Sequence, residues 1–328
     1  SKTHTYRLNG WETYRWNVWK DCGNNPIYPQ GGTWPFDRAG WCPGTKVDEY
    51  EFELTPKVAS GDTITLDYSI EPFADNGEKD GTLRMSHQLF SYGPPNFKYD
   101  AALVDIIVPS TSDRYSRVNP GSGNSVIVIQ NRGKYPLKEL LIKYGVKGQR
   151  KKKYTWKGNL EFLESEKVTL PALSWKKMRV SGVYEVEVEL PKHMTDDYPG
   201  NNVLTSNYEK PQSLPKQFIL SIQTNNLGRA IENEFYISDV NGMVWYDKGE
   251  FKDSTNYRIA IDLSKGSYQF KFKDDMEDGI SRHWWNRNAA PEQVGINGLV
   301  QIESTGGDTL VTFHADFGQE LLLNFIVE

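Results

Sequence analysis

Short runs of alternating apolar and polar residues, each closed off by turn residues, restrict this chain to β-structure. The clearest is Ile64-Thr65-Leu66-Asp67-Tyr68-Ser69-Ile70, and comparable runs lie at 101–108, 126–129, 183–190, 218–222, 257–263 and 268–272. Side chains that alternate with a period of two suit a strand with one buried face. The run 139–144 is too short for a helix and reads as a further strand, and no segment carries convincing helical spacing. Short strands with turns between them predict an all-β chain built from sandwiches or jelly rolls.

A chain of 328 residues is long for one such domain and suits two or three. Turn-rich residues near 109–123 and the proline-rich stretch Lys210-Pro211-Gln212-Ser213-Leu214-Pro215 divide it into segments 1–110, 111–212 and 213–328. The net charge of −5 argues against a general role on nucleic acid or anionic membranes. No apolar run approaches the roughly 20 residues of a membrane span. The chain opens on Ser1-Lys2-Thr3-His4 with no secretory leader, the expectation for a processed or partial chain.

Chemistry is concentrated near the start. Cys22 and Cys42 are the two cysteines, and they bracket Gly23, Pro26, Pro29, Gly31, Gly32, Pro35 and Gly40. So much glycine and proline excludes a helix or a long strand. A disulfide closing this loop would remove about 3 kcal/mol of unfolded-state entropy and would fit an oxidising compartment; two buried thiols are the alternative. Trp11, Trp16, Trp19, Trp34 and Trp41 fall in the same region, with Tyr6, Tyr14, Tyr28 and Phe36. Flat aromatic faces stack on sugar rings, but they also fill irregular cores. Trp11, Trp16 and Trp19 read as core, and Trp34 and Trp41 as a binding wall.

The blocks Thr3-His4-Thr5-Tyr6, Asp21-Cys22-Gly23-Asn24-Asn25-Pro26 and Asp37-Arg38-Ala39-Gly40-Trp41-Cys42-Pro43-Gly44 resemble the C-terminal domain of the peptide-N-glycosidase F family in order and spacing. That family cleaves asparagine-linked glycans from glycoproteins. The resemblance covers about residues 1–110. It implies a jelly roll and pairing of Cys22 with Cys42. It also implies a place for Arg38 at an active site between two jelly rolls, where a guanidinium keeps neighbouring carboxylates ionised and offers a planar fork to substrate oxygens. Asp37, Trp34 and Trp41 are the accompanying substrate-binding candidates; pairing of Arg38 with Asp37 or loop carbonyls is the structural alternative.

The family's principal catalytic aspartate belongs to its first jelly roll, and its glutamate precedes the position matching Ser1. Neither is in this sequence. Nothing marks Asp67, Glu71, Asp75, Glu78 or Asp80 as a substitute acid or base. The chain alone is therefore expected to be inactive, and a second polypeptide or an N-terminal fragment is expected to complete the jelly roll and cover the Ser1 end.

Farther on, Val126-Ile127-Val128-Ile129-Gln130-Asn131-Arg132-Gly133 and Asp196-Asp197-Tyr198-Pro199-Gly200-Asn201-Asn202 resemble the immunoglobulin-like, CARDB-like adhesion modules of bacterial surface proteins. Asparagine in such turns bonds loop backbone and closes a sandwich end. Arg150-Lys151-Lys152-Lys153 reads as a solvated hairpin tip, with an acidic partner as the other possibility. Asp274, Asp275, Glu277 and Asp278 precede Gly279; they could supply calcium with oxygen ligands, or form an acidic β-turn. No other cofactor is implied. In His283-Trp284-Trp285, adjacent aromatics would face opposite sides of a strand.

Two functions follow as expectations. One is the C-terminal part of a bacterial peptide-N-glycosidase F-like protein, secreted, periplasmic or on the outer surface, acting on an N-glycosylated protein or glycan. The other is a non-catalytic binding or scaffold protein of a bacterial surface assembly. A copper type II monooxygenase-like reading is remote, because it needs a His-x-His pair and a methionine, whereas His4 stands alone and His87, His193, His283 and His314 are scattered. No nucleophile elbow supports a serine hydrolase.

Overall fold

The computed structural model describes residues 2–31, 41–42, 44–74, 77, 84–118, 123–178, 180–282, 286 and 288–328. The described residues are nearly all β, with short 3-10 turns and a one-turn helix at Pro291–Val294. The chain forms two compact units: Ser1–Cys22 with Phe36–Tyr92, and Gly23–Pro35 with Gly93–Glu328.

In the first unit, β1 (Thr3–Leu8) and β2 (Trp11–Asn17) form a hairpin, and β3 (Leu66–Ile70) pairs with the other edge of β1. The turn is Asn9-Gly10, with φ of 52° and 83°. Positive φ at both central residues is the conformation whose twist matches paired strands, and Asn-Gly adopts it readily. Registers His4↔Trp16, Tyr6↔Tyr14 and Tyr6↔Tyr68 put these aromatic side chains on one face. The register shifts between Tyr6 and Arg7. Beyond that bulge Trp11 is 80% exposed, and Trp19, past the end of β2, is 53% exposed. Both were expected in a core; Trp16, expected there too, packs against Tyr6, Phe52 and Tyr68.

The second unit holds two sandwiches. The first is built from β4 (Ala101–Val108), β5 (Ser125–Asn131), β6 (Leu137–Val146), β7 (Lys152–Leu160), β8 (Ser165–Leu170), β9 (Gly182–Glu189) and β10 (Val203–Tyr208). Its sheets are β4-β5-β8 and β10-β9-β6-β7. Ile127 and Ile129 of one sheet meet Leu140, Ile142, Tyr144, Tyr184 and Val186 of the other in one core. Two of its buried phenols are hydrogen-bonded, Tyr184 Oη donating to Ser125 Oγ at 2.6 Å and Tyr144 Oη to the Pro171 carbonyl at 2.8 Å, while Tyr208 Oη has no partner among the described residues. Burial pushes the Tyr144 phenol up to about 12. β4 pairs with β5. Residues 109–123 therefore connect strands inside this sandwich, and the first unit ends at Tyr92 rather than near 110. Turn-rich composition alone does not separate a linker from a long loop.

The two asparagine-bearing turns meet at one end of this sandwich. Asn131 is fully buried; its Nδ2 donates to the carbonyls of Tyr135 (3.1 Å) and Leu160 (2.9 Å), and its Oδ1 accepts from Gly133 N (2.9 Å). Asp197 Oδ2 accepts from Lys98 N at 2.7 Å, Asp196 Oδ2 from Ala101 N at 3.0 Å, and Asn201 Nδ2 donates to Asp100 Oδ1 at 2.8 Å. Gly133 fits because a Cβ there would lie 2.6 Å from Asp100 N. The basic run is only partly a tip, since β7 starts at Lys152. Lys151 is tied to Glu185 (2.8 Å) and Glu187 (3.0 Å), and Lys143 to Glu187 (3.6 Å) and Glu189.

The last sandwich comprises β11 (Gln212–Leu214), β12 (Gln217–Gln223), β13 (Asn233–Asp239), β14 (Val244–Lys248), β15 (Asn256–Asp262), β16 (Gly266–Asp274), β17 (Leu299–Ser304), β18 (Thr309–Thr312) and β19 (Glu320–Val327). Its sheets, β11-β19-β16-β13-β14 and β15-β12-β17-β18, enclose Phe218, Phe235, Phe270, Phe272, Phe317 and Phe325. The proline-rich stretch expected to be a hinge contains β11, which pairs in parallel with β19.

Arg117 joins the two sandwiches to residues Gly23–Pro35. Its Nη1 donates to the Glu320 carbonyl (2.8 Å), Nη2 to that of Phe317 (2.7 Å) and Nε to that of Asn25, and the guanidinium lies 4.8 Å from the Tyr28 ring centre. Burial pulls it down to about 10, while Tyr28 and Glu320 act in the opposite direction. Gln319 N also donates to the Gly23 carbonyl (2.8 Å), and Gly31 N to Asp316 Oδ2 (2.6 Å).

Candidate functional site

Among the described residues of the first unit, the feature suited to ligand chemistry is the aromatic face of the β2-β1-β3 sheet. Strand alternation brings His4, Tyr6, Tyr14, Trp16 and Tyr68 to this face. Phe52, from the segment between β2 and β3, packs 4.9 Å from Trp16 and 4.8 Å from Tyr14, centre to centre. His87 reaches the same cluster, its Nδ1 bonded to the Tyr6 hydroxyl. His4 Nδ1 lies 2.7 Å from Tyr68 Oη, and burial lowers the His4 pKa, which favours neutral imidazole as a hydrogen-bond partner. Burial raises the Tyr6 and Tyr68 phenols, keeping them protonated. Trp16 Nε1 has no partner among the described residues.

Beside this cluster stands Glu53. Tyr92 Oη and Thr55 Oγ1 donate to its carboxylate, as does Thr55 N at 2.9 Å, and Tyr14 Oη donates to its carbonyl. Partial burial opposes the charge, but the bonds from Thr55 and Tyr92 outweigh it and hold the carboxyl below its ordinary value. Glu53 is therefore an ionised acceptor with its hydrogen bonds made within the unit, unlike a general acid, which needs a raised pKa. Ring faces flanked by phenols and imidazoles can stack on a sugar and bond its hydroxyls.

Cys22 and Cys42 are bonded to each other and buried, with Cα atoms 5.3 Å apart. Trp41 is half-buried, and its Nε1 donates to the Thr45 carbonyl at 2.5 Å, so its polar edge is used by the turn just past Cys42. Trp34, Asp37 and Arg38 lie outside the described residues, as do Asp75, Glu78, Asp80 and His283-Trp284-Trp285. Glu71 is exposed and accepts from Thr3 N at 3.1 Å, which lowers its pKa. Glu53, Phe52 and Tyr92 were not anticipated, and His87 was noted only as one of the scattered histidines. The Asn9-Gly10 turn was the available signal, because it fixes the register that places His4, Tyr6, Tyr14 and Trp16 on one face.

Of the predicted calcium set, Asp274 and Asp278 are buried, Asp275 is exposed, and Glu277 is half-buried with its Oε1 accepting from Gln319 Nε2 at 3.1 Å. Glu232, absent from that set, lies with Asp274 and Asp278.

Residues 1–90 match the family described as peptide-N-glycosidase F, C terminal. A relative, the peptide-N(4)-(N-acetyl-beta-D-glucosaminyl)asparagine amidase F of Elizabethkingia miricola, is 35% identical over 82 residues, which are 23% of this chain and 22% of the relative. This chain thus spans less than a quarter of the curated relative's length. The match covers nearly all of the first unit and the Gly23–Pro35 segment of the second, and it stops before β4, so the strands of both sandwiches lie beyond it. No helix among the described residues is long and apolar enough to cross a membrane.

Breaking the Cys22–Cys42 bond, by reduction or by a double Cys22→Ser and Cys42→Ser change, is expected to cost about 3 kcal/mol of first-unit stability. Hydrogen exchange of β1–β3 before and after reduction would show it. Unchanged protection would mean that packing alone holds the loop.

Proposed function

We propose that the first unit is the C-terminal part of a peptide-N-glycosidase F-like glycoprotein-processing site, in a protein secreted by a bacterium or held in its periplasm or on its outer surface. The observation that carries this reading is the family match over residues 1–90, which includes the paired Cys22 and Cys42. The aromatic face supplies the stacking surface that a glycan needs. The disulfide suits an oxidising compartment.

Hydrolysis of a glycosylasparagine amide requires a group that activates water and another that assists the departing amine. This chain supplies supporting groups: Arg38 for carboxylate and substrate oxygens, with Trp34, Asp37 and Trp41 around it. The acid–base carboxylates come from a second polypeptide or an N-terminal portion. The exposure of Trp11 (80%), Phe73 (70%), Leu89 (69%) and Phe90 (75%) in the first unit is consistent with such a covering partner.

The second reading is a binding or scaffold role in a bacterial surface assembly. It is favoured by the two sandwiches of the second unit, the first of them resembling immunoglobulin-like adhesion modules.

The test is titration of the chain with an N-glycosylated peptide, followed by mass analysis for asparagine-to-aspartate conversion. Saturable binding without conversion, weakened by Arg38→Ala, is the expected result. No binding at all would sink the glycan reading and leave the scaffold one. Conversion by this chain alone would refute the assignment of the carboxylates elsewhere.

A further inference from the structure

At one end of the β13–β16 pair, four oxygen-bearing side chains converge. Asn233 and Asp274 are directly paired across the two strands, so both side chains share a face, and they are 2% and 1% exposed. Glu232 precedes Asn233, and Asp278 lies in the turn after β16. Carboxylate oxygens of Glu232, Asp274 and Asp278 all lie within 4.8 Å of one another. Two buried carboxylates beside a half-buried third repel strongly unless something neutralises them.

Arg229 does part of this. Its Nη2 bonds Asp278 Oδ1 and donates to the Gly279 carbonyl at 3.0 Å, while Nη1 donates to the Ser281 carbonyl at 2.6 Å. Its Nε is 4.0 Å from Glu232 Oε2, beyond hydrogen-bond reach. Among the described residues, Arg229 is the guanidinium that faces these carboxylates, and it reaches Glu232 only at that distance. Three oxygens are also left over among the described residues: Asp274 Oδ2, Glu232 Oε2 and Asn233 Oδ1 have no hydrogen-bond donor. Asp274 Oδ1 takes the Asp278 N–H (3.2 Å), and Asn233 Nδ2 is committed to the carbonyls of Arg229 (3.0 Å) and Ala230 (3.3 Å). Buried oxygens are rarely left without a partner in a folded protein.

We propose that Glu232, Asp274 and Asp278, together with Asn233 Oδ1, form a binding site for one calcium ion. The donors are all hard oxygens, mixed between charged and neutral, and fixed to protein elements, a set that suits calcium better than magnesium, which usually keeps several waters. Oxygens about 2.4 Å from a common calcium ion can be at most about 4.8 Å apart, which accommodates the observed separation. The sites of exposed, surface-facing Asp275 and of Glu277, which is engaged by Gln319, are not needed. The ion would fasten the start of β13 and the end of β16 to the turn that carries buried Ile280. Burial and the neighbouring Asp278 push the Asp274 carboxyl up to about 8, so a proton on Asp274 is the competing way to neutralise the cluster.

The experiment uses the whole chain, stripped with chelator and titrated with calcium chloride in a calorimeter, with melting followed in parallel. Extracellular modules bind calcium at about 0.1–1 mM. The expected result is one ion bound in that range and a melting temperature raised by about 5 °C at about 10 mM calcium. Magnesium should do much less. Asp274→Asn and Glu232→Gln should each lose the binding, and Asp275→Asn should keep it. Absence of saturable binding and of any melting shift in the parent chain would overturn the proposal. So would binding that survives both Asp274→Asn and Glu232→Gln, or that is abolished by Asp275→Asn. If Asp274→Asn fails to fold, the parent titration and Glu232→Gln decide the matter.

Discussion

Replacing Arg117 by alanine is expected to destabilise the second unit by about 4 kcal/mol. One planar guanidinium serves three carbonyls, those of Asn25, Phe317 and Glu320, and stacks on Tyr28. Asn25 and Phe317 are buried, so after truncation water does not readily replace the lost donors. Each unsatisfied buried carbonyl costs about 1–3 kcal/mol. Lysine should recover only part of the loss, since a single ammonium cannot reproduce the spread of an arginine fork. Hydrogen exchange is the sharpest readout. Gln319 N, which bonds the Gly23 carbonyl, and the start of β19 should lose protection, while the β5 and β6 core should lose little. If Arg117→Ala leaves the urea midpoint and these amides unchanged, Arg117 does not hold the segments together.

Asn131→Ala should be similarly costly, about 4 kcal/mol, by a different route. It removes no charge. It strips donors from the Tyr135 and Leu160 carbonyls and the acceptor from Gly133 N, all at a side chain with no exposed surface. Aspartate should not rescue it, because a carboxylate restores the acceptor, loses both donors and adds a buried charge. An Asn131→Ala protein with an unchanged denaturation midpoint would show that the turns close that sandwich end without it.

The strands were the legible part of this chain. The run 101–108 coincides with β4, and 126–129, 218–222 and 268–272 fall inside β5, β12 and β16. Alternation survives in sequence because each strand buries one face. The connections were less legible. Residues 210–215 looked like a hinge for their prolines, yet Leu214 is 2% exposed in the last core, because a three-residue parallel strand carries too little pattern to announce itself. Trp11 and Trp19 looked like core for their size; the bulge after Tyr6 and the end of β2 leave them outside. At the candidate site, Cys22 and Cys42 were legible from the resemblance. Glu53 was not, since its role depends on Tyr92 and Thr55 folding back onto it. Glu232 and Asn233 lie some forty residues before Asp274 in sequence and meet it only through the β13–β16 register.

The parallel pairing of β11 with β19 has a mechanical meaning. β11 carries the chain in from the preceding sandwich, and β19 carries it to Glu328. Tension applied between those two connections pulls the strands in opposite directions along their own length. The Gln212↔Phe325, Ser213↔Ile326 and Leu214↔Val327 pairings are then sheared together instead of peeled apart one by one. Under load, the last sandwich is clamped where force enters and leaves it, with the phenylalanine core behind the clamp shielded until all three rows give way at once.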